Sequence, residues 1–371
     1  EDIATWILGK NWHRGASPMR HVPEYEDYLF DQWERGAFDA VWQAPEIYCA
    51  PHYATLARYP SFLISGWFDP YAETMFRHFA GITSHGGHAE IVMGPWLHGR
   101  RSQTFAGDVD FGPISRLDDG IAPNYATLRR DWFDRWLMPA DPAAAAPSAQ
   151  WFCMGGGSGA TDARGRRDHG GAWRSDTVWP PGRARDTAYF LGQGGSLGTG
   201  TPDRATATLV SDPASPVPTM GGAVTSGEPV MVGGAFDQVA TPDTFAATAP
   251  FGPLADRPDV LRFQTEPLSH AVEIAGTAVL ELTLTADVPD MDIAAKLVDV
   301  APPDVDHPGG FAMNLADGIL RLRYRDSATD PAPMTPGDPV RVRVELLPVA
   351  NLFAAGHRIR LDISGSNFPK F

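Results

Sequence analysis

Apolar and polar positions follow two different rhythms along these 371 residues. In the first part, apolar runs stop abruptly at polar residues. Ser61 to Gly66, Glu90 to Gly94 and Gln150 to Met154 each read as a strand buried on both faces. Between the first two, Ala72 to Phe79 carries Met75, Phe76 and Phe79 at helical spacing, with Gly81 as a stop signal. Pro123 opens a second helix through Leu137, in which Leu128, Trp132, Phe133 and Trp136 make an apolar stripe and Pro139 ends the run. Strand, helix, strand, helix, strand predicts a parallel sheet. Residues 1 to 55 hold helical pieces such as Tyr25 to Trp33, with aromatics on one face, and read as a lid or cap.

After about residue 171 the rhythm becomes a period of two. Leu261 to Gln264, Val279 to Thr285, Leu320 to Arg325, Val340 to Leu346 and Ile359 to Ile363 each put one face in a core and one in water. An antiparallel β-sandwich, a jelly roll, is the expectation. The chain thus divides into a helical piece at 1–55, a strand–helix part at 56–160 and a β-sandwich at 171–371.

Composition narrows the function classes. A hydrophobic content of 43% with 20% charged residues and no charge run describes an ordered globular protein. A net charge of −15 repels a polyanion, which sets nucleic acid aside, and the one basic cluster, Arg164-Gly-Arg166-Arg167, reads as a solvated loop. No apolar stretch approaches the roughly 20 residues that span a bilayer, so a membrane is not a partner. Cys49 and Cys153 lack any C-x-x-C or zinc spacing, which excludes a disulfide framework and favours a reducing, cytoplasmic setting. No cofactor or metal is expected: His85-Gly-Gly-His88 lacks a third ligand, Asp290 and Asp292 beside Pro289 read as a turn rather than a calcium site, and Gly155 to Gly159 lacks the ending of a phosphate loop.

Two residues carry candidate chemistry. Asp69 and His98, 29 positions apart, each end an apolar run, as catalytic side chains at strand ends do. An imidazole that is neutral near pH 7 takes a proton from a serine hydroxyl, and a buried carboxylate on its other nitrogen fixes the tautomer. Each has a plainer reading: Asp69 caps the helix that follows Pro70, and His98 is a satisfied loop histidine. Trp67 and Trp96 read as core. A triad in the order Ser, Asp, His needs a G-x-S-x-G turn upstream of Asp69, and none is there. Gly194-Gly-Ser196-Leu-Gly198 matches literally, yet it leads into Thr199-Gly-Thr-Pro instead of a helix and reverses the order. Ser196 is therefore rejected as the nucleophile.

Five motifs together, Gly66-Trp-Phe-Asp69-Pro-Tyr71, Gly94-Pro-Trp-Leu-His98-Gly, Asp131-Trp-Phe-Asp-Arg-Trp-Leu137, Asp292-Ile-Ala-Ala-Lys-Leu-Val-Asp-Val300 and Ser364-Gly-Ser-Asn-Phe-Pro-Lys-Phe371, resemble the cocaine esterase and X-Pro dipeptidyl-peptidase-like hydrolases. The resemblance implies the C-terminal part of an α/β-hydrolase sheet with a helical cap remnant, followed by a β-sandwich jelly roll. It puts Asp69 and His98 at the triad acid and base, and Tyr71 either in the acyl pocket or in ordinary packing. It also implies that the first strands, the G-x-S-x-G serine and a tyrosine-assisted oxyanion hole belong to a segment N-terminal to this chain. Both ends read as cut, so a fragment or a processed subunit is the expectation, with that segment as a partner and exposed apolar surface favouring a homo-oligomer. Asp212-Pro213 through Gly221-Gly222 resembles a family loop that runs toward the catalytic domain.

The expected function is a serine hydrolase acting on small-molecule carboxylic esters or amides through an acyl-enzyme. The alternatives are an X-Pro dipeptidyl-peptidase, a β-lactam or α-amino-acid ester acylase, and a non-catalytic β-sandwich binding protein with a vestigial hydrolase half.

Overall fold

The computed structural model describes residues 3–10, 12–138, 148–201, 203, 205–225, 228 and 230–371. Three strands, β1 (Ser61–Phe68), β2 (Ala89–Leu97) and β3 (Ser148–Met154), run parallel, with β2 in the middle. β1 is half-buried over its first four residues and buried over the last four. Its end therefore lies deep in the core, which is where a side chain delivered at the strand's tip is shielded.

Helix α4 (Ala72–Ser84) crosses from β1 to β2 and buries Ala72, Phe76, Phe79 and Ile82 at helical spacing; three shorter helical pieces, α1 (Ile3–Gly9), α2 (Pro23–Glu34) and α3 (Tyr53–Leu56), precede it. The expected stop at Gly81 does not occur, because the helix runs on to Ser84. A Cβ on Gly81 would lie 2.2 Å from the Tyr53 ring, so the glycine gives that ring room and does not end the helix.

Helix α5 (Tyr125–Leu137) begins two residues after Pro123, and Asn124 caps it by accepting a 2.8 Å hydrogen bond from the Thr127 N–H. Asn124→Ala is expected to cost about 1 kcal/mol, read as a shift in the urea midpoint at constant m-value. The stripe is narrower than its pattern. Trp132 packs on Phe62 and Trp136 on His88, whereas Phe133 is largely exposed and no residue of the helix is fully buried. Pro139 lies outside the described residues.

β4 (Gly171–Asp176) pairs antiparallel with β3. The strands β5 (Val260–Gln264), β6 (Val272–Leu284), β7 (Asp292–Ala301), β8 (Phe311–Arg321), β9 (Val340–Phe353) and β10 (Arg358–Ser364) then form two antiparallel groups. One sheet has the order β5-β10-β7-β8; β6 and β9 form a long hairpin-like pair that joins the first sheet through a single Asn351–Met154 pairing. Its order is β1-β2-β3-β9-β6, and one continuous core runs from Trp67 to Ile363.

Two expectations fail for a visible reason. The strand through Leu320 to Arg325 stops at Arg321 and becomes a 3₁₀ turn, Leu322–Tyr324, because Asp290 takes both the Arg323 N–H at 2.9 Å and its guanidinium at 2.5 Å while Leu322 turns fully inward. The basic cluster is not wholly solvated either. Arg167 is buried, 2.5 Å from Asp304, whose carboxyl this bond holds down at about 2, and Arg166 lies 3.7 Å over the Phe105 ring. Residues just after α1 reach parts of the chain distant in sequence: Lys10 Nζ donates to the Pro213 carbonyl at 2.8 Å, and Trp12 stacks on Phe368. No helix among the described residues is long and apolar enough to cross a membrane.

Candidate active site

Asp69 follows the last residue of β1, where the chain turns sharply. Its N–H donates to the Gly66 carbonyl at 3.1 Å and its own carbonyl accepts from Ala72 at 3.0 Å. Gly66 is required by the neighbouring strand, since a Cβ there would sit 2.2 Å from the Trp96 carbonyl oxygen. His98 follows the last residue of β2. Its Nδ1 lies 3.0 Å from Asp69 Oδ2, while Asp69 Oδ1 accepts the Tyr71 N–H at 2.9 Å. Asp69 does not cap α4, whose N-cap is Tyr71 without a side-chain bond: one carboxylate oxygen holds the turn before the helix and the other faces the imidazole.

Burial separates the pair. The Asp69 side chain is 7% exposed and that of His98 52%. A buried carboxylate accepts, so Nδ1 carries the proton and Nε2 is left as the basic nitrogen. Tyr71 stands edge-on against the His98 ring at 5.4 Å between centroids and is half exposed. Among the described residues no serine is hydrogen-bonded to His98.

The other singled-out residues fall elsewhere. Trp67 and Trp96 are core: their indole N–H groups donate to the Phe152 and Ser115 carbonyls at 2.7 and 2.8 Å. Ser196 is exposed, donates to the Gln193 carbonyl, and precedes the short strand Leu197–Gly198 where a nucleophile turn would be followed by a helix. His85 contacts the Gly81 carbonyl and His88 bonds Glu90 at 2.9 Å, so they do not converge. Asp292 holds Arg321 through both oxygens, at 2.9 and 2.7 Å, and with Asp290 on Arg323 the two form ion pairs. No group of three metal-ligating side chains occurs among the described residues. Cys49 and Cys153 are free thiols, and burial pushes Cys153 up to about 12.

Residues 230–235, beyond the loop read at 212–222, are a neighbour of the site that the sequence reading did not name. Residues 221–225 and 230–235 meet through paired Gly222 and Gly234, and Ala235 pairs with Gly107 in the loop after His98. A Cβ on Gly233 would lie 2.7 Å from Leu97 Cδ2, the Ala235 N–H donates to the Ala106 carbonyl at 3.2 Å, and Asp108 N–H donates to Ala235 at 2.9 Å. The signal was the doubled glycines at 221–222 and 233–234, which allow backbone to approach backbone.

Parallel strands that end at a buried carboxylate and a half-exposed imidazole, followed by β-rich sheets, are the features that similar proteins can be set beside. The chain belongs to the cocaine esterase and X-Pro dipeptidyl-peptidase-like family: residues 143–371 match the family described as X-Pro dipeptidyl-peptidase C-terminal non-catalytic domain. It is 31% identical over 330 residues to the cocaine esterase of Rhodococcus sp. (strain MB1 Bresler), covering 84% of this chain and 49% of that protein. It is 26% identical over 329 residues to a putative serine esterase of Mycobacterium bovis, covering 83% of this chain and 45% of the relative. Among solved structures, an alpha-amino acid ester hydrolase superposes with a TM-score of 0.73 at 25% identity, over 99% of this chain and 57% of the other. An aminopeptidase of a Thaumarchaeota archaeon superposes at 0.71 with 23% identity, over 100% of this chain and 57% of that one, a likeness of fold. The chain spans about half the length of the curated relatives it matches.

Proposed function

We propose that this chain supplies the acid and base of a serine hydrolase acting on carboxylic esters or amides, as the rear half of an α/β-hydrolase sheet with a cap remnant and a jelly roll. The observation that carries this is the 3.0 Å Asp69–His98 pair, acid buried and base half exposed, at the tips of adjacent parallel strands. In this reading His98 Nε2 takes the proton of a serine hydroxyl as it attacks the acyl carbon and returns it to the leaving oxygen or nitrogen. Asp69 holds the ring and stabilises the imidazolium formed in between. Tyr71, exposed beside the ring, lines the acyl side of the site.

The serine then comes from another segment. β1 ends the sheet order, and among the described residues no strand pairs with its outer edge. An open edge beside the acid is a place where a further parallel strand adds on and brings a nucleophile alongside His98. Ester hydrolysis is favoured over peptide cleavage by the names of the relatives, a cocaine esterase and an alpha-amino acid ester hydrolase.

Fluorophosphonate labelling tests this. The folded 371-residue chain is expected to take up no label by intact mass, and to support labelling at a serine of the added segment once the two are combined. A label mapped to any serine of this chain, Ser196 included, would replace the proposed triad.

A further inference from the structure

A buried polar chain runs from the C-terminal β-domain to His169, whose ring packs on Phe111. His357 Nδ1 lies 2.7 Å from Asp299 Oδ1, Asn351 Nδ2 donates to Asp299 Oδ2 at 3.0 Å, and His169 Nε2 lies 2.9 Å from Asn351 Oδ1. Asp299, Asn351 and His169 are 2%, 0% and 8% exposed. Polar groups so deep persist when every member is partnered, and a partnered network holds one geometry.

The chain has one direction. The Asp299 carboxylate only accepts, so both neighbours donate to it: His357 through Nδ1–H and Asn351 through its amide NH₂. The amide orientation is thereby fixed, with Oδ1 turned toward His169. His169 must then carry its proton on Nε2. Burial also pushes His169 below the usual imidazole range, which keeps it neutral.

Beyond His169 the contacts become aromatic. Its ring meets Phe111 edge-to-face at 6.1 Å, and Phe111 lies over Phe68 at 6.2 Å, one residue before Asp69. Independently of the ring, the backbone N–H of His169 donates to the Asp110 carbonyl at 2.9 Å, in the loop that starts at His98 and closes through Phe111 N–H to the Thr104 carbonyl at 2.7 Å; what the side chain adds to that loop is its ring against Phe111. Asn351 itself makes the single backbone pairing, with Met154, that joins β9 to β3.

We propose that His169, Asn351, Asp299 and His357 are positioning residues, through which the C-terminal β-domain sets the placement of Asp69 and of the loop that follows His98. The proposal rests on the hydrolase reading for its purpose, though its test does not require turnover. The general physical point is that a coupling path is shown only by perturbing it, not by adjacency.

The test uses the full chain, folded, at one pH. Amide hydrogen exchange is followed at residues 104–111 and, as a remote control, at 342–346, and the Nδ1 proton resonance of His98 is followed by NMR. His169→Leu is expected to raise exchange at 104–111 at least tenfold and to shift or broaden the His98 resonance, with exchange at 342–346 changed less than twofold. His169→Gln keeps a donor where Nε2 stood but not the ring against Phe111, and is expected to bring both readouts part of the way back from His169→Leu toward the unsubstituted chain. Asp299→Asn, at the far end with His169 intact, is expected to change them as His169→Leu does, and it decides the matter if His169→Leu does not fold. The proposal is overturned if 104–111 is unaffected, if 342–346 rises equally, or if His169→Gln behaves like His169→Leu. An intact His98 signal in a chain that fails to support hydrolysis after addition of a serine-bearing segment counts against the hydrolase reading alone.

Discussion

Replacing His98 by alanine is expected to lower ester turnover by on the order of 10⁶ in any assembly in which a second segment provides the serine. The magnitude follows from role: without an acceptor for its proton the hydroxyl is a poor nucleophile, and Nε2 is the basic nitrogen left by the Asp69 contact. Asp69→Asn is expected to cost about 10⁴, because an amide can donate to Nδ1 and so favours the wrong tautomer. The double variant should lose little more than His98→Ala alone, since the two act as a unit. Turnover of a p-nitrophenyl ester, with the acyl-enzyme burst read separately, checks all three. A loss below tenfold for His98→Ala would remove the base from this position. Tyr71→Phe should leave the burst intact, because the ring that packs edge-on against His98 is kept.

Gly66→Ala is expected to destabilise the folded chain by about 3 kcal/mol. The obstacle is backbone: the added carbon would meet the Trp96 carbonyl oxygen at 2.2 Å and its carbon at 2.7 Å. No rotamer relieves that, so β1 and β2 must move apart at the point where they deliver Asp69 and His98. Gly99→Ala provides the contrast. It has φ +72° and open space around it, so only the left-handed backbone is penalised, at about 1 kcal/mol. Urea unfolding of the two variants, at matched m-values, separates steric from conformational cost.

These two cases also show what the sequence makes legible. Asp69 and His98 were readable because each terminates an apolar run, and an apolar run with no polar face has one place to be, inside a layered sheet. Their 3.0 Å contact was readable only through the ordering of motifs. Gly81 misled because a glycine near a helix end and a glycine under a tyrosine ring look the same in one dimension. Leu320 to Arg325 misled because alternation continued through residues that Asp290, thirty positions earlier, bends out of the strand. The buried chain from His357 to His169 left no local trace. Its four members lie on separate segments, each polar residue ordinary in its own neighbourhood, and their pairing depends on how β9 meets β3.

That meeting has a bearing on inheritance. The first sheet passes without a break from β1 to β6, crossing by way of Asn351 and Met154, so the pairing crosses the line between the parallel strands and the antiparallel ones. A recombination point placed after β4 would divide a hydrogen-bonded layer and orphan a strand on each side. The match that begins at residue 143 lies ahead of Ser148–Met154, so the unit recurring among relatives carries β3 and β4 along with the β-domain. The stretch that the family match outlines is therefore two strands larger than its antiparallel β-rich part, and the first of those strands, β3, ties it to β2.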